Sequence, residues 1–177
     1  MQSFLDPSEI LRQLKLRKHM TAADFGCGSG GWVIPLAKIL EEGKVYAIDI
    51  LEEPLSALRA KINPLTGGEK LFNIEVRKAD VEKGTTLLSN SCDLVLMTNL
   101  LFECEDKKKV LEEAKRILKK GGKILVVDWI KDNPLTPEIE WADFDEIKKA
   151  TQELDLKLEK EFEAGVYHRG LILTKPS

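Results

Sequence analysis

Residues 24–31 read Asp24-Phe25-Gly26-Cys27-Gly28-Ser29-Gly30-Gly31, a carboxylate followed by a glycine-rich loop. Such a loop lets the backbone turn sharply and lets a ligand approach without Cβ atoms in the way. Alone, it is weak evidence, since a tight strand-to-helix turn also uses such glycines. Two further carboxylates narrow the reading. Asp49 lies near the end of KVYAIDI (44–50), 23 residues after Gly26. At that spacing a carboxylate can accept hydrogen bonds from a ribose diol. Asp80 follows Ala79 at the end of FNIEVRKAD (72–80), where a carboxylate can reach the exocyclic amine of an adenine. The plainer roles are a charge at a helix start for Asp49 and a solvated turn residue for Asp80. Taken together, the three groups imply an adenosine-bearing ligand.

Elements at the right places must position these groups. TAADFG (21–26), KVYAIDI (44–50), FNIEVRKAD (72–80), CDLVLMT (92–98) and KILVVDWI (123–130) read as strands. The unbroken apolar character of 92–98 predicts a strand covered on both faces. Between them the periodicity predicts helices over Asp6–Lys18, Trp32–Leu40, Glu53–Ile62 and Glu105–Leu118. Residues 119–122 read as a turn, and Asn133-Pro134 with Thr136-Pro137 as a loop. Asp143 and Glu146 resemble a capping box for a helix to about Leu154. LKLEKEFEA (156–164) and HRGLILTK (168–175) are close enough for an antiparallel hairpin. This alternation predicts an α/β fold, a three-layer α/β/α sandwich around a seven-stranded, mostly parallel Rossmann-like sheet with the last strand antiparallel. Ligands of such sheets sit at the carboxyl ends of the strands.

Composition bounds the rest. The 177 residues predict a single domain over 1–177, with an N-terminal helix or lid at 1–20, a binding core at 21–130 and a C-terminal helix and hairpin at 131–177. Apolar residues make up 43% and charged residues 32%, a globular mixture. A net charge of -3 argues against a large nucleic-acid footprint. Three cysteines and two histidines without CxxC spacing exclude a disulfide scaffold and predict no metal site. No apolar run approaches the roughly 18 residues of a membrane span, and a cytoplasmic setting is expected.

DFGCGSG, VYAIDI, KADVE, DLVLMTNLLFE and LKKGGKILVVDW, in that order, resemble the class I S-adenosylmethionine-dependent methyltransferases over residues 5–175. The resemblance implies S-adenosyl-L-methionine as cofactor and S-adenosyl-L-homocysteine as product. It implies that Asp24 and the backbone of Gly26, Cys27, Gly28 and Gly30 hold the methionine part. Asp49 would take the ribose hydroxyls and Ile50 would pack on the adenine. Ala79, Asp80 and Val81 would border the adenine. Asn99 and Leu100 would meet the methionine amine and the transferred methyl.

The acceptor is less legible. Methyl transfer from a sulfonium is an in-line displacement helped mainly by orientation, and a base is needed only when the nucleophile must lose a proton. Phe102 occupies the slot where many relatives carry a histidine, and Glu103 beside it is as readily a helix-start carboxylate. His168 reads as a packed or hydrogen-bonded strand residue, His19 as a surface one. Asn99 is followed by Leu100-Leu101, not by the prolines of amino-group methyltransferases. Phe4, Phe102, Trp129 and Trp141 are candidates for a pocket wall or for core. Lys107-Lys108-Lys109 with Lys119-Lys120 reads as a solvated helix face. A small-molecule acceptor is favoured, with nucleic acid or protein acceptors left open, no membrane, and a monomer or homodimer. The competing readings are a non-catalytic cofactor-binding module in a complex and an NAD-dependent oxidoreductase.

Overall fold

A computed structural model describes residues 5–64, 70–130 and 141–177. Phe4, the Gly67-Gly68 loop and the Asn133–Pro137 loop lie outside these residues, so the readings made of them do too. In chain order the elements are α1 (Pro7–Arg12), β1 (Thr21–Phe25), α2 (Val33–Ile39), β2 (Lys44–Asp49), α3 (Glu52–Ile62) and β3 (Ile74–Lys78). There follow β4 (Cys92–Thr98), α4 (Lys107–Ile117), β5 (Leu118–Trp129), α5 (Phe144–Glu153), β6 (Lys157–Glu163) and β7 (His168–Thr174).

The strands form one sheet in the order β3-β2-β1-β4-β5-β7-β6. β1 through β5 run parallel to one another, whereas β7 runs antiparallel to both β5 and β6. The order reverses between β1 and β4, and a crevice opens at the carboxyl ends of strands at such a switch point. The glycine loop leaves β1 there, and Asn99 leaves β4 beside it.

Both faces of the central strands are covered, which is why β4 shows no polar alternation. Leu94 and Leu96 pack with Leu11, Leu36, Leu55 and Leu58 of the first three helices. Val95 and Met97 face Val110, Leu111 and Ile147 of α4 and α5. The edge strand β6 exposes Lys and Glu side chains, which discourages pairing with another chain. A Cβ on Gly170 of β7 would stand 2.3 Å from Phe162 Cζ, so the ring of β6 fills the place of the missing side chain.

Several boundaries differ from the sequence reading. The helix expected over 6–18 stops at Arg12, because Lys15 takes a left-handed φ of 50°. Asp6 caps it, accepting from the N–H of Ser8 at 2.8 Å. Residues 119–122, read as a turn, lie within β5. The register slips between Cys92 and Leu94, and Gly121 at φ 74° pairs with Lys175 instead of β4. Asp143 does cap α5, accepting from Asp145 and Glu146 N–H, but Glu146 extends to Lys107 at 3.2 Å. Among the described residues no helix is long and apolar enough to cross a membrane.

Candidate functional site

Asp24 is the fourth residue of β1 and is fully buried. Neither of its carboxylate oxygens has a hydrogen-bond partner among the described residues. Burial, reinforced by the charge of Asp49, pushes its carboxyl well above the ordinary value of 3.8. A buried carboxylate without a partner is costly, and such groups are normally paired or hydrogen-bonded. This one lies immediately before the glycine loop, where a cationic ligand group would satisfy it.

The loop itself is pinned from below. Gly26 and Cys27 N–H donate to the Ile48 carbonyl at 2.8 and 3.0 Å, tying the turn to β2. Gly26 sits at φ 70°, and a Cβ there would stand 2.8 Å from Leu100 Cδ1. Glycine is therefore required where the loop after β1 meets the loop after β4. Cys27 is buried and its thiol is pushed up by burial, which makes it a packing residue and not a nucleophile. Lys61 closes the outer side of the loop, donating to the carbonyl and hydroxyl of Ser29 at 2.9 and 3.0 Å.

Asp49 ends β2 and grips the backbone with both oxygens. Oδ2 accepts from Gly28 N–H at 2.9 Å and Oδ1 from Leu51 N–H at 2.9 Å. Each carboxylate oxygen keeps a further lone pair for a ligand hydroxyl. Ile50, 54% exposed, follows directly on the open edge. Ala79 N–H donates to the Asp49 carbonyl at 3.0 Å, which places Ala79 and Asp80 next along the same edge. Asp80 accepts from Glu82 N–H at 3.0 Å and pairs with Lys83 at 2.8 Å. The Lys83 ammonium holds its carboxyl below the usual range. Val81 is buried behind it.

Asn99 follows β4 at a left-handed φ of 50°, its N–H donating to the Val127 carbonyl at 2.8 Å. Its Oδ1 accepts from Nε2 of His168 at 2.9 Å, which places the imidazole proton on Nε2. The His168 ring lies 3.9 Å from that of Trp129, tilted by 39°. Below them Asp128 is buried and accepts from Leu101, Phe102 and Trp129 N–H at 2.8, 3.3 and 2.8 Å. Burial pushes its carboxyl up to about 6 even though these bonds pull it down. Asp128 thereby fixes the loop that carries Asn99 and Leu100.

The candidates thus gather along one edge, from Asp80 through Asp49 and Asp24 to Asn99. His168 is the packed, hydrogen-bonded strand residue that the sequence suggests, but its partner Asn99 was not foreseen, and the role of Asp128 at the Asn99 end was missed. A polar residue in the apolar run 123–130 was the available signal for Asp128. Nothing local marks His168, whose partner is 69 residues away. Phe102 is half-buried against the core, Glu103 and His19 are exposed, and Trp141 is exposed at the start of the last described segment.

Burial lowers the His168 imidazole to about 4. Its charged form is disfavoured on folding, so its contribution to stability is complete above the unfolded value of 6.5 and is lost as pH falls from there toward 4. The expected result is a flat imidazole NMR signal for His168 between pH 8 and 5. An inflection of the His168 signal near 6.5 would contradict the buried Asn99 contact.

Three comparisons bear on this edge. A family model described as "Methyltransferase domain" matches residues 23–126. A demethylmenaquinone methyltransferase of Bacillus mycoides (strain KBAB4) is 28% identical over 125 residues, 68% of this chain and 49% of the relative. The chain spans about half the length of the curated relatives it matches. A SAM-dependent methyltransferase from Aquifex aeolicus superposes with a TM-score of 0.82 at 31% identity, covering 96% of this chain and 89% of that one. A SAM-dependent methyltransferase from Methanosarcina mazei, 18% identical, shares the fold at a TM-score of 0.73, covering 94% and 97%.

Proposed function

The chain belongs to the methyltransferase-domain family and uses S-adenosyl-L-methionine, and on that premise we propose that it transfers the cofactor's methyl group to a small organic acceptor. The unpaired carboxylate of Asp24 beneath the glycine loop carries the reading of the site. The methionine part of the cofactor presents an ammonium, the complement that such a carboxylate lacks. Gly26, Cys27, Gly28 and Gly30 would hold that part through their backbone. Asp49 would take the ribose hydroxyls on its remaining lone pairs, and Ile50 would cover the adenine. Ala79, Asp80 and Val81 would border the base, with Asn99 and Leu100 beside the transferred methyl. When bound, the cofactor supplies a methyl group made electrophilic by a sulfonium. The protein's part is orientation: the Asp49–Gly28 and Asp128–Leu101 bonds fix the two loops that face each other across the crevice.

The acceptor class rests on two observations. The curated relatives are named for demethylmenaquinone, a small molecule. A hollow of about 500 Å³ lies past the end of β5, lined by Ile130, Trp141, Phe144 and Arg169 among others, a size that takes a small organic molecule. His168 is neutral and engaged with Asn99, and Glu103 is exposed, so the described residues suit a nucleophile that needs no strong base. Incubating the full chain with methyl-labelled cofactor and a panel of hydroxylated quinones and phenols should label at least one of them over many turnovers. Labelling of cell protein or RNA, with none of the small acceptors, would overturn the acceptor class and leave the cofactor reading intact.

A further inference from the structure

Two basic runs that look alike in sequence have different surroundings in the structure. Lys107 pairs with Glu146 at 3.2 Å, Lys108 with Glu153 at 2.7 Å and Lys109 with Asp106 at 3.3 Å. That run is locally neutralised. Lys119 and Lys120 instead border a cavity of about 440 Å³ beside Met20, Asp93 and Leu94, at the amino ends of β1 and β4. This is the edge of the sheet opposite Asp24 and Asp49.

The cavity joins an apolar lining to a cationic one. Leu14, Leu16, Met20 and Leu94 supply the first. Lys15 and Arg17, from the connection after α1, and Lys119, Lys120 and Lys123, from the irregular start of β5, supply the second. Among the described residues Asp93 is the one carboxylate in the lining, and it is already committed to Thr21 N–H and to Lys119, both at 2.9 Å. Lys123 pairs with Glu159. The side chains of Lys15, Arg17 and Lys120 have no carboxylate partner among the described residues.

Two neighbouring features agree. The Lys175 ammonium, donating to the carbonyls of Lys115 and Leu118 at 2.9 and 2.7 Å, is held below the usual lysine range by burial and by the charges of Lys115 and Lys120. This corner is therefore positive in a chain whose net charge is -3. Gly121 is exposed, with open space where a Cβ would stand, so a ligand can reach the backbone there.

We propose that this cavity is a second small-molecule site, taking a compact phosphorylated organic anion with its phosphates among Arg17, Lys120 and Lys15 and its apolar part on Leu14, Leu16 and Met20. Its volume lies in the ordinary range of ligand pockets, and its cations converge on one hollow from two segments. A nucleic acid would call for a basic stripe along a face. The proposal is independent of the methyl-transfer reading, since the two sites lie on opposite edges of the sheet.

The test is a titration of the full chain with inorganic pyrophosphate at low salt, followed by amide NMR. Saturable shifts are expected at Lys15, Leu16, Arg17, Gly121 and Gly122. The exposed double variant Arg17→Ala/Lys120→Ala should bind at least about tenfold more weakly. Lys107→Ala/Lys108→Ala, whose cations are paired elsewhere, should bind as the wild type does. S-adenosylhomocysteine titrated on the same samples should be unaffected by either pair, and its failure to bind at all would count against the methyltransferase site alone. Shifts centred on residues 26–30, shifts without saturation, equal affinity in the Arg17/Lys120 variant, or tighter binding of a single-stranded oligonucleotide than of pyrophosphate would each overturn the proposal.

Discussion

Replacing Asp24 with asparagine should raise the melting temperature of the ligand-free chain and, in the same protein, weaken S-adenosylhomocysteine binding about a hundredfold, close to 2.7 kcal/mol. Asparagine keeps the shape and removes the charge. In the wild type the carboxyl is fully buried, without a partner among the described residues, and raised by burial and by Asp49. The sign follows from that direction. A carboxyl whose folded value exceeds its unfolded one contributes stability that is fully present below 3.8 and is lost as pH rises through the folded value. Wild-type stability should therefore decline with rising pH more steeply than that of Asp24→Asn. The melting curves should separate by several degrees near neutrality, at roughly 2–4 °C per kcal/mol for a chain of this size. The affinity loss has the opposite origin, since the ligand's ammonium would meet a neutral amide. Calorimetric titration beside thermal melts at pH 5 and 8 reads both. A variant that melts lower and binds normally would show that Asp24 serves folding and not the ligand.

Asp49→Ala should weaken the same ligand by a similar factor and lower the melting temperature. Its two oxygens hold Gly28 and Leu51 N–H, so truncation leaves two backbone donors without acceptors at the mouth of the crevice. Each such bond to a charged acceptor contributes about 1.5–3 kcal/mol. The loop after β1 then loses its tie to the end of β2 on the ligand side, while Gly26 and Cys27 keep theirs to Ile48. Asp49→Asn should recover part of the affinity, because its amide oxygen still accepts one of the two N–H groups. If alanine binds S-adenosylhomocysteine as tightly as the wild type, the edge between β1 and β2 is not where the ribose lies. The two aspartates therefore separate by the sign of their stability effects, while their binding effects run together.

The placing of the glycine loop, Asp49 and Asp80 at strand ends was legible because it is local, each following an apolar run. The mostly parallel sheet and the antiparallel last strand followed from alternation and from the short gap between 164 and 168, whereas the strand order came only with the structure. Features that depend on contacts between distant segments were not legible. Asp24 stood out in the sequence by its place before the glycines, but its burial, with no partner for either oxygen among the described residues, emerges only when the fold closes over it. Asp49 was read as a ribose ligand or a charge at a helix start; its grip on Gly28 N–H, in the loop after β1, was not legible. Lys15 ended α1 early through a left-handed residue that the helical periodicity of 6–18 did not mark. Residues 119–122 carried a turn signal, and the turn is a bulge in a continuing strand. His168 passed as a packed residue because its partner, Asn99, comes from a different strand.

The placement of β7 has a consequence for how the molecule comes into being. Among the described residues β6 meets the sheet only through β7, and β7 follows all the other strands in chain order. A ribosome delivers β1 to β5 first, with the far side of β5 bare and β6 waiting without a partner. Until His168 emerges, the Asn99 amide lacks its anchor, although every glycine and aspartate of the crevice has already been made. The nascent chain thus carries nearly all of its ligand-facing groups well before the strand that braces one end of them.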